Sequence, residues 1–242
     1  MAKQLDVRYI AEGALWKRDS IFQLSMELYD TKSEKVVWSE RWQKSWSDFP
    51  NIGDVLSENI LEILKVEQRT EAPKIALNPD AYEFYLKAKH KYEKREYAEE
   101  TEIARGLLKK AIELDENLIA AQHLLGSTYH VTRDLDKAMD IYTSALIKAE
   151  GLSDKMWMGR SIRKIGNTFY GKGDKDKALD NWGKSLAIAE EIGDKSGMSG
   201  SLNNIGLVYS GQKDYDKSLE YYNRSLSINE ELDDRSSIAM NL

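Results

Sequence analysis

One basic and two amide side chains at helical spacing are the residues of this sequence best suited to binding a ligand. Arg163 and Asn167 are four residues apart, which is about one helical turn, so they share a face. Asn204 lies two residues before Gly206 in a later, similar segment. Arginine offers a two-pronged donor to a carboxylate, and asparagine can both donate to and accept from a peptide backbone. These residue types suit an extended peptide backbone and a carboxylate.

Other residues that could do chemistry give weaker signals. His123 and His130 are seven residues apart on one helical face, and a metal site there would need a carboxylate such as Asp134. We expect both histidines to be solvent-facing residues of a groove instead. The segment 171–174 lacks the preceding strand and the Gly-Lys-Ser/Thr ending of a phosphate-binding loop, so it is predicted to be a turn between helices. No nucleophile–base pair can be assembled, and we predict no catalytic residue, metal site or cofactor.

Composition narrows the class of protein. The 242 residues include no cysteine, which excludes disulfides, thiolate zinc sites and cysteine nucleophiles. The net charge of −6 argues against general nucleic-acid binding. No apolar run approaches the roughly 20 residues of a membrane-spanning helix. We expect a cytoplasmic location, with the periplasm left open if the whole protein has an upstream membrane span.

Internal repeats dominate the sequence after residue 80. A glycine and a later aromatic residue recur every 40 residues, at Gly126 and Tyr142, Gly166 and Trp182, and Gly206 and Tyr222. An Asp-Lys pair recurs with the same period at 136, 176 and 216. The glycines let a partner helix approach closely. Each repeat is predicted to be a helical hairpin that cannot bury its own apolar face, so neighbouring hairpins must stack.

The repeat pattern resembles the tetratricopeptide repeat, or TPR. Gly166 is followed three residues later by Phe169, and then by Ala178 and Trp182 four residues apart. The 40-residue period is similar to the long-repeat subclass found in scaffold and regulatory proteins. Residues 80–116 resemble a degenerate first repeat with Ala88 in place of the glycine. The resemblance covers about two thirds of the chain and implies a mainly α fold, a right-handed superhelix of helical hairpins.

In a TPR array, the first helix of each hairpin lines the concave face, so the resemblance implies which residues form a groove. The residues implied to bind a peptide there are His123, Ser127 and His130 of the second repeat, Arg160, Arg163, Lys164, Asn167 and Tyr170 of the third, and Asn203 and Asn204 of the fourth. The arrangement resembles part of the carboxylate clamp of chaperone-binding TPR proteins. The alternative is that these side chains simply solvate the inner face.

The first region of the chain reads as strands. Apolar residues alternate from Phe22 to Leu28, a second β-rich run extends from Val36 to Trp42, and the polar segment 30–34 between them predicts a hairpin. An earlier run, Val7 to Ile10, is predicted to be a neighbouring strand that ends before Glu12. An apolar stripe over residues 52–64 predicts a helix of about four turns. Together these elements form a small α/β subdomain of a β-hairpin plus a helix.

The first region also resembles a known domain, through the segments 6–13, 28–30 and 38–42. They are similar to a small α/β domain that precedes TPR arrays in bacterial adenylate-cyclase-like, kinase-like and transcription-regulator-like signalling proteins. We expect this chain to be a fragment that starts late in that domain and stops inside a further helix. The expected organisation is a partial α/β domain at 1–66, a linker at 67–79 and a TPR array at 80–242, with repeats at about 81–117, 119–152, 159–192 and 199–232.

These features predict a protein–protein interaction scaffold, the regulatory part of a larger bacterial signalling protein, which is not itself an enzyme. Its expected partner is a protein or peptide in the concave groove, acidic or C-terminal in character, and not a nucleic acid. One alternative is the regulatory region of an adenylate or guanylate cyclase or of a kinase. Another is a spacer or a homodimerisation module, in which the sheet or the open terminal repeat pairs between chains.

Overall fold

The computed structural model describes residues 9–52, 55–56, 59–60, 78–95 and 98–232. The chain divides into two compact units, Met1–Tyr82 and Glu83–Leu242. Most of the predicted linker lies outside the described residues, and Pro79, at its end, already begins a helix. The predicted start of a further helix after residue 232 also lies outside them.

The first unit contains an antiparallel sheet in the order β1–β2–β3, formed by Tyr9–Arg18, Ile21–Asp30 and Lys35–Ser45. The predicted β2–β3 hairpin is confirmed, and the Asp30 carboxylate accepts from the Lys32 backbone N–H at 2.8 Å in its turn. The prediction that the first strand ends before Glu12 is wrong, because β1 continues to Arg18. Gly13 keeps the strand paired here, since a Cβ at this position would lie 2.0 Å from the Met26 sulfur.

The core of the first unit lies on one face of the sheet. Period-two alternation places Phe22, Leu24 and Leu28 of β2 on that face, where all three are buried. The remaining buried aromatic residues there are Trp42, Trp46 and Phe49, the last two from a short 3₁₀ helix over Trp46–Asn51. Residues 52, 55, 56, 59 and 60 are helical, and the rest of the predicted 52–64 helix lies outside the described residues.

The rest of the described chain is helical. Between residues 79 and 232, the structure describes eight helices: α1 Pro79–Glu93, α2 Ala98–Leu114, α3 Ile119–Val131, α4 Leu135–Gly151, α5 Lys155–Gly171, α6 Lys175–Ile192, α7 Lys195–Gly211 and α8 Tyr215–Glu231. From α2 onward, each helix packs against the next one in sequence. Helix α5 also contacts α3 and α7, so these three helices form one layer of the stack.

The helix starts repeat with the sequence. An aspartate side chain caps five helices by accepting the backbone N–H three residues later, at Asp134, Asp154, Asp174, Asp194 and Asp214. Asp136, Asp176 and Asp216 lie within the first turn instead, where a negative charge favours the helix dipole.

The repeated glycines are positions where the two helices of one hairpin meet. A Cβ on Gly166 would lie 2.7 Å from the Trp182 ring, and one on Gly126 would lie 2.5 Å from the Tyr142 ring. Tyr142 and Trp182 are both about 1% exposed, so each ring fills the space that its glycine leaves. This contact fixes how closely the first helix of each hairpin, which carries the predicted groove residues, packs on the second.

Candidate ligand-binding groove

Helices α3, α5 and α7 position all ten predicted groove residues. His123, Ser127 and His130 lie on α3, the five residues from Arg160 to Tyr170 lie on α5, and the two asparagines lie on α7. Nine of the ten side chains are half-buried, and His123 is buried. The layer therefore holds a row of polar groups that are partly withdrawn from water.

A cavity of about 310 Å³ brings four of these residues together. It is lined by Ser127, His130, Lys164 and Asn167, and also by Tyr92, Leu124, Val131 and Tyr142. The other predicted residues lie outside this cavity. The sequence did not single out the apolar part of the lining, because Leu124 and Val131 are ordinary helix residues and Tyr142 has the spacing of a core aromatic.

Ser127 is the centre of the hydrogen bonds in this cavity. Its hydroxyl donates to the His123 carbonyl at 2.9 Å and lies 3.1 Å from the Tyr142 hydroxyl. The Lys164 ammonium donates to the same Ser127 oxygen at 3.4 Å. The Tyr92 hydroxyl donates to the Ser127 carbonyl, also at 3.4 Å. Burial raises the pKa of Tyr142 to about 12, so this phenol stays neutral at physiological pH.

Lys164 is a half-buried cation on α5. Among the described residues, no carboxylate oxygen lies within the 4.0 Å of an ion pair from its nitrogen. Burial first, and then the charge of Arg163, lowers the pKa of Lys164 to about 8. An ammonium in such surroundings is stabilised by an anion that enters the cavity.

Arg163 extends toward the neighbouring helix α7. Its guanidinium packs over Gly200, where a Cβ would lie 3.0 Å from the Arg163 Nη1 atom. Its Nε atom is buried without a hydrogen-bond partner in the described part of the chain. Burial and the charge of Arg160 lower the pKa of Arg163, and Asp194 opposes that shift. Gly200 is thus a residue that sequence reasoning missed, and it makes room for the guanidinium.

Arg160 completes a cluster of positive charge, defined here as Arg160, Arg163 and Lys164. Its Nε atom lies 3.9 Å from the Asp194 carboxylate, and its guanidinium lies over the Trp157 ring at 5.2 Å. Within the described residues, this Asp194 contact is the one ion pair of the cluster. The positive charge of the groove is therefore largely uncompensated.

The expectation that His123 faces solvent is wrong. Its side chain is 8% exposed, its Nε2 lies 2.7 Å from the Ser161 hydroxyl, and its ring packs edge-on against Trp157. Burial, followed by the charges of Lys164, Arg160 and Arg163, lowers the pKa of His123 to about 3. A neutral His123 joins α3 to α5 as a packing residue. His130 is half-buried, with its Nε2 3.3 Å from the Asn167 carbonyl oxygen.

The two amides, Asn167 and Asn204, contact each other. The Asn167 side-chain oxygen accepts from the Asn204 amide at 2.9 Å and from the Trp182 indole N–H at 2.8 Å. Both lone pairs of this oxygen are thus used within the protein. In the described residues, no hydrogen bond engages the Asn204 side-chain oxygen or the Asn167 side-chain nitrogen, which leaves one acceptor and one donor.

The remaining predicted residues contribute less. Tyr170 packs against the buried cluster around Trp182, with ring centroids 5.7 Å apart, so its ring is mainly a packing group. Asn203 is half-buried on α7. The described residues contain no group of three or more His, Asp or Glu side chains that could hold a metal ion.

Comparison with known proteins agrees with the repeat geometry. The tetratricopeptide repeat family matches residues 161–231. No curated protein matches the chain. No helix in the described ranges is long and apolar enough to span a membrane.

Solved structures share the fold at low sequence identity. Aspartyl phosphate phosphatase F from Bacillus subtilis has a TM-score of 0.60 and 18% identity over 76% of this chain and 46% of its own. A Rap protein complexed with Competence and Sporulation Factor has a TM-score of 0.60 and 19% identity over 80% of this chain and 54% of its own. BtubC from P. vanneervenii has a TM-score of 0.54 and 18% identity over 76% of this chain and 74% of its own.

These likenesses establish the fold class. The chain spans about half the length of the first two structures. The predicted mainly α, TPR-type superhelix after a small sheet is confirmed. Such a scaffold is consistent with protein–protein interaction.

Proposed function

We propose that the groove formed by α3, α5 and α7 binds an extended peptide that carries an acidic side chain or a C-terminal carboxylate. The observation that carries this proposal is the positive cluster on α5. Arg160, Arg163 and Lys164 share one helix in a chain of net charge −6, with Asp194 as their one ion-pair partner among the described residues. A local positive patch on an acidic protein attracts anionic ligands selectively.

Burial of Arg163 and Lys164 strengthens the preference of the groove for an anionic ligand. The Arg163 Nε atom has no hydrogen-bond partner within the described residues, and Lys164 donates to a hydroxyl rather than to a carboxylate. Both cations are partly withdrawn from water without pairing closely with a carboxylate. A bound carboxylate would therefore stabilise both cations by charge and by hydrogen bonds. The planar fork of Arg163 suits a carboxylate geometrically.

Polar groups beside the cluster suit a peptide backbone. The Asn204 side-chain oxygen can accept a peptide N–H, and the Asn167 side-chain nitrogen can donate to a peptide carbonyl. Both are held in place by the bond between them. The groove thus offers backbone recognition next to a site for one anionic group.

In the whole protein, we place this scaffold in the regulatory part of a bacterial signalling protein in the cytoplasm. The resemblance of the first region to domains that precede TPR arrays in such proteins supports this placement. Fold likeness to the Rap protein complexed with Competence and Sporulation Factor supports the idea that an array of this type holds a partner.

An array of peptides with acidic residues, with free and with amidated C-termini, tests the proposal. The best peptide is then titrated against the 242-residue protein, the Arg163→Ala variant and the control Lys184→Ala, whose side chain is 61% exposed on α6. We expect Arg163→Ala to weaken binding by more than about tenfold, because a hydrogen bond to a charged group contributes about 1.5–3 kcal/mol. Equal affinity for all three proteins would contradict the proposal, whereas failure of every peptide to bind would favour a dimerisation or spacer role.

A further inference from the structure

Lys164 differs from the ten lysines of the described residues that form ion pairs with carboxylates, at positions 87, 89, 137, 148, 155, 172, 177, 184, 195 and 217. Lys164 instead donates to the Ser127 hydroxyl at 3.4 Å, and it is half-buried. A lysine without a carboxylate partner loses its proton more readily, because no negative charge stabilises its ammonium form.

Lys164 lines a small cavity. Its nitrogen faces the 310 Å³ cavity, whose other polar lining consists of Tyr92, Ser127, His130, Tyr142 and Asn167. None of these groups is a carboxylate, so nothing in the lining stabilises the ammonium form by charge. The cavity has an apolar side formed by Leu124 and Val131, against which a short acyl chain can pack.

We propose that Lys164 is a site of acyl modification that reacts with acyl phosphates. In this reaction, the neutral amine attacks the carbonyl carbon of the acyl phosphate. A carbon–nitrogen bond forms, the carbon–oxygen bond to phosphate breaks, phosphate leaves with the bonding electrons, and the amine loses one proton to solvent. The products are an amide at Lys164 and inorganic phosphate.

The electrostatics of the groove favour this chemistry. Burial and Arg163 lower the pKa of Lys164 to about 8, so a much larger fraction of this amine is neutral at physiological pH than for an exposed lysine. Arg163 and Arg160 lie outside the cavity but add positive charge on the same helix, which attracts an anionic acyl phosphate to the groove. The Ser127 hydroxyl holds the nitrogen at the cavity wall.

Modification would change the charge of the groove. An acylated Lys164 is neutral, so the positive cluster loses one of its three charges. If the groove binds an anionic peptide, which is the proposed function on which this consequence rests, acylation lowers the affinity for that peptide. The modification itself does not depend on any peptide.

Incubation of the full chain with acetyl phosphate, followed by mass spectrometry of the lysine-containing peptides, tests the proposal. The comparator is Lys175, an exposed lysine at the start of α6. We expect acetylation of Lys164 to be at least about tenfold faster than that of Lys175, because its neutral fraction is larger. In urea the two rates should become similar, which shows that folding creates the difference. A folded-state rate at Lys164 equal to or below that at Lys175 would overturn the proposal.

A second measurement separates this inference from the proposed function. Lys164→Gln imitates the acylated residue, and Lys164→Arg keeps the charge but removes the amine. If Lys164 is acetylated rapidly but both variants bind the peptide equally well, the modification site is supported. Only the role of the Lys164 charge in peptide binding is then contradicted. Slow acetylation with weaker binding by Lys164→Gln alone would contradict only the modification.

Discussion

The Asn167 side-chain oxygen accepts a hydrogen bond from the Asn204 side chain at 2.9 Å, and this bond joins the third hairpin to the fourth. The same oxygen accepts from the buried Trp182 indole at 2.8 Å. One carboxamide thus links the second helix of its own hairpin to the first helix of the next. The groove is therefore tied to the repeat core, and residues that suit a ligand also contribute to stability.

The Asn167–Asn204 relationship predicts unequal costs for two alanine substitutions. Asn167→Ala removes the stronger of two acceptors of the Trp182 N–H, leaving the Arg163 carbonyl at 3.2 Å, and should cost about 1–3 kcal/mol. Asn204→Ala removes one half-buried bond and should cost about 0.5–1.5 kcal/mol. Urea denaturation measures both, with the exposed Asn223→Ala as the control. A smaller cost for Asn167→Ala than for Asn204→Ala would contradict this ranking.

The contact between the repeated glycines and the aromatic rings predicts that two Gly→Ala substitutions change stability in opposite directions. Gly166→Ala places a methyl group 2.7 Å from the Trp182 ring and should destabilise the protein by about 1–3 kcal/mol. Gly183→Ala, in the exposed interior of α6, meets no atom within 4 Å and should stabilise by up to about 1 kcal/mol. Melting temperatures of the two variants give the comparison. A shift of both melting temperatures in the same direction would contradict a close contact between Gly166 and Trp182.

His123 predicts a loss of stability in mild acid. Its pKa is lowered to about 3 in the folded state. Below about pH 6.5, the imidazole therefore becomes protonated in the unfolded chain but stays neutral in the folded protein. Stability from this group is present above pH 6.5 and is lost as the pH falls toward 3, by at most about 1.4 kcal/mol per pH unit. Urea titrations between these pH values should show a flatter dependence of stability on pH for His123→Gln, which keeps a hydrogen-bonding group toward Ser161. An identical slope for both proteins would show that His123 becomes protonated in the fold.

The lowered pKa of Lys164 predicts that the affinity for an anionic peptide falls at alkaline pH. Its pKa is lowered to about 8, so the ammonium is present below that pH and is lost above it. Affinity should therefore fall as the pH rises through 8, while Arg160 and Arg163 retain their charge. Lys164→Met should bind more weakly and show no such transition. The transition persisting in Lys164→Met would assign it to another group.

The sequence predicted the repeat core because the contact that builds it depends on residue types. A glycine opposite a buried aromatic ring cannot be replaced without a clash, so Gly166 and Trp182 recur visibly with the period of the fold. The sequence did not predict the length of β1, because Gly13 suggests a strand end until its partner Met26 is known.

The candidate site was less predictable than the repeats. Residue types and spacing placed Arg163, Lys164 and Asn167 on one helix, and all three lie on α5. They could not show that Trp157 and Ser161 of α5, the first helix of the next hairpin, bury His123, which depends on how two hairpins stack. Nor could they show that Trp182 uses the Asn167 oxygen, since this bond depends on the orientation of the indole ring.

The most direct test of the central claim is a double-mutant cycle between Arg163 and the carboxylate of the best peptide from the array. Calorimetry measures the binding of the acidic peptide and of its amide counterpart to the protein and to Arg163→Ala. If Arg163 contacts that carboxylate, the two changes are coupled by about 1.5–3 kcal/mol, so amidation weakens binding to the unsubstituted protein far more than to Arg163→Ala. Equal losses on amidation for both proteins would show that the carboxylate binds elsewhere and would contradict the groove assigned to α3, α5 and α7.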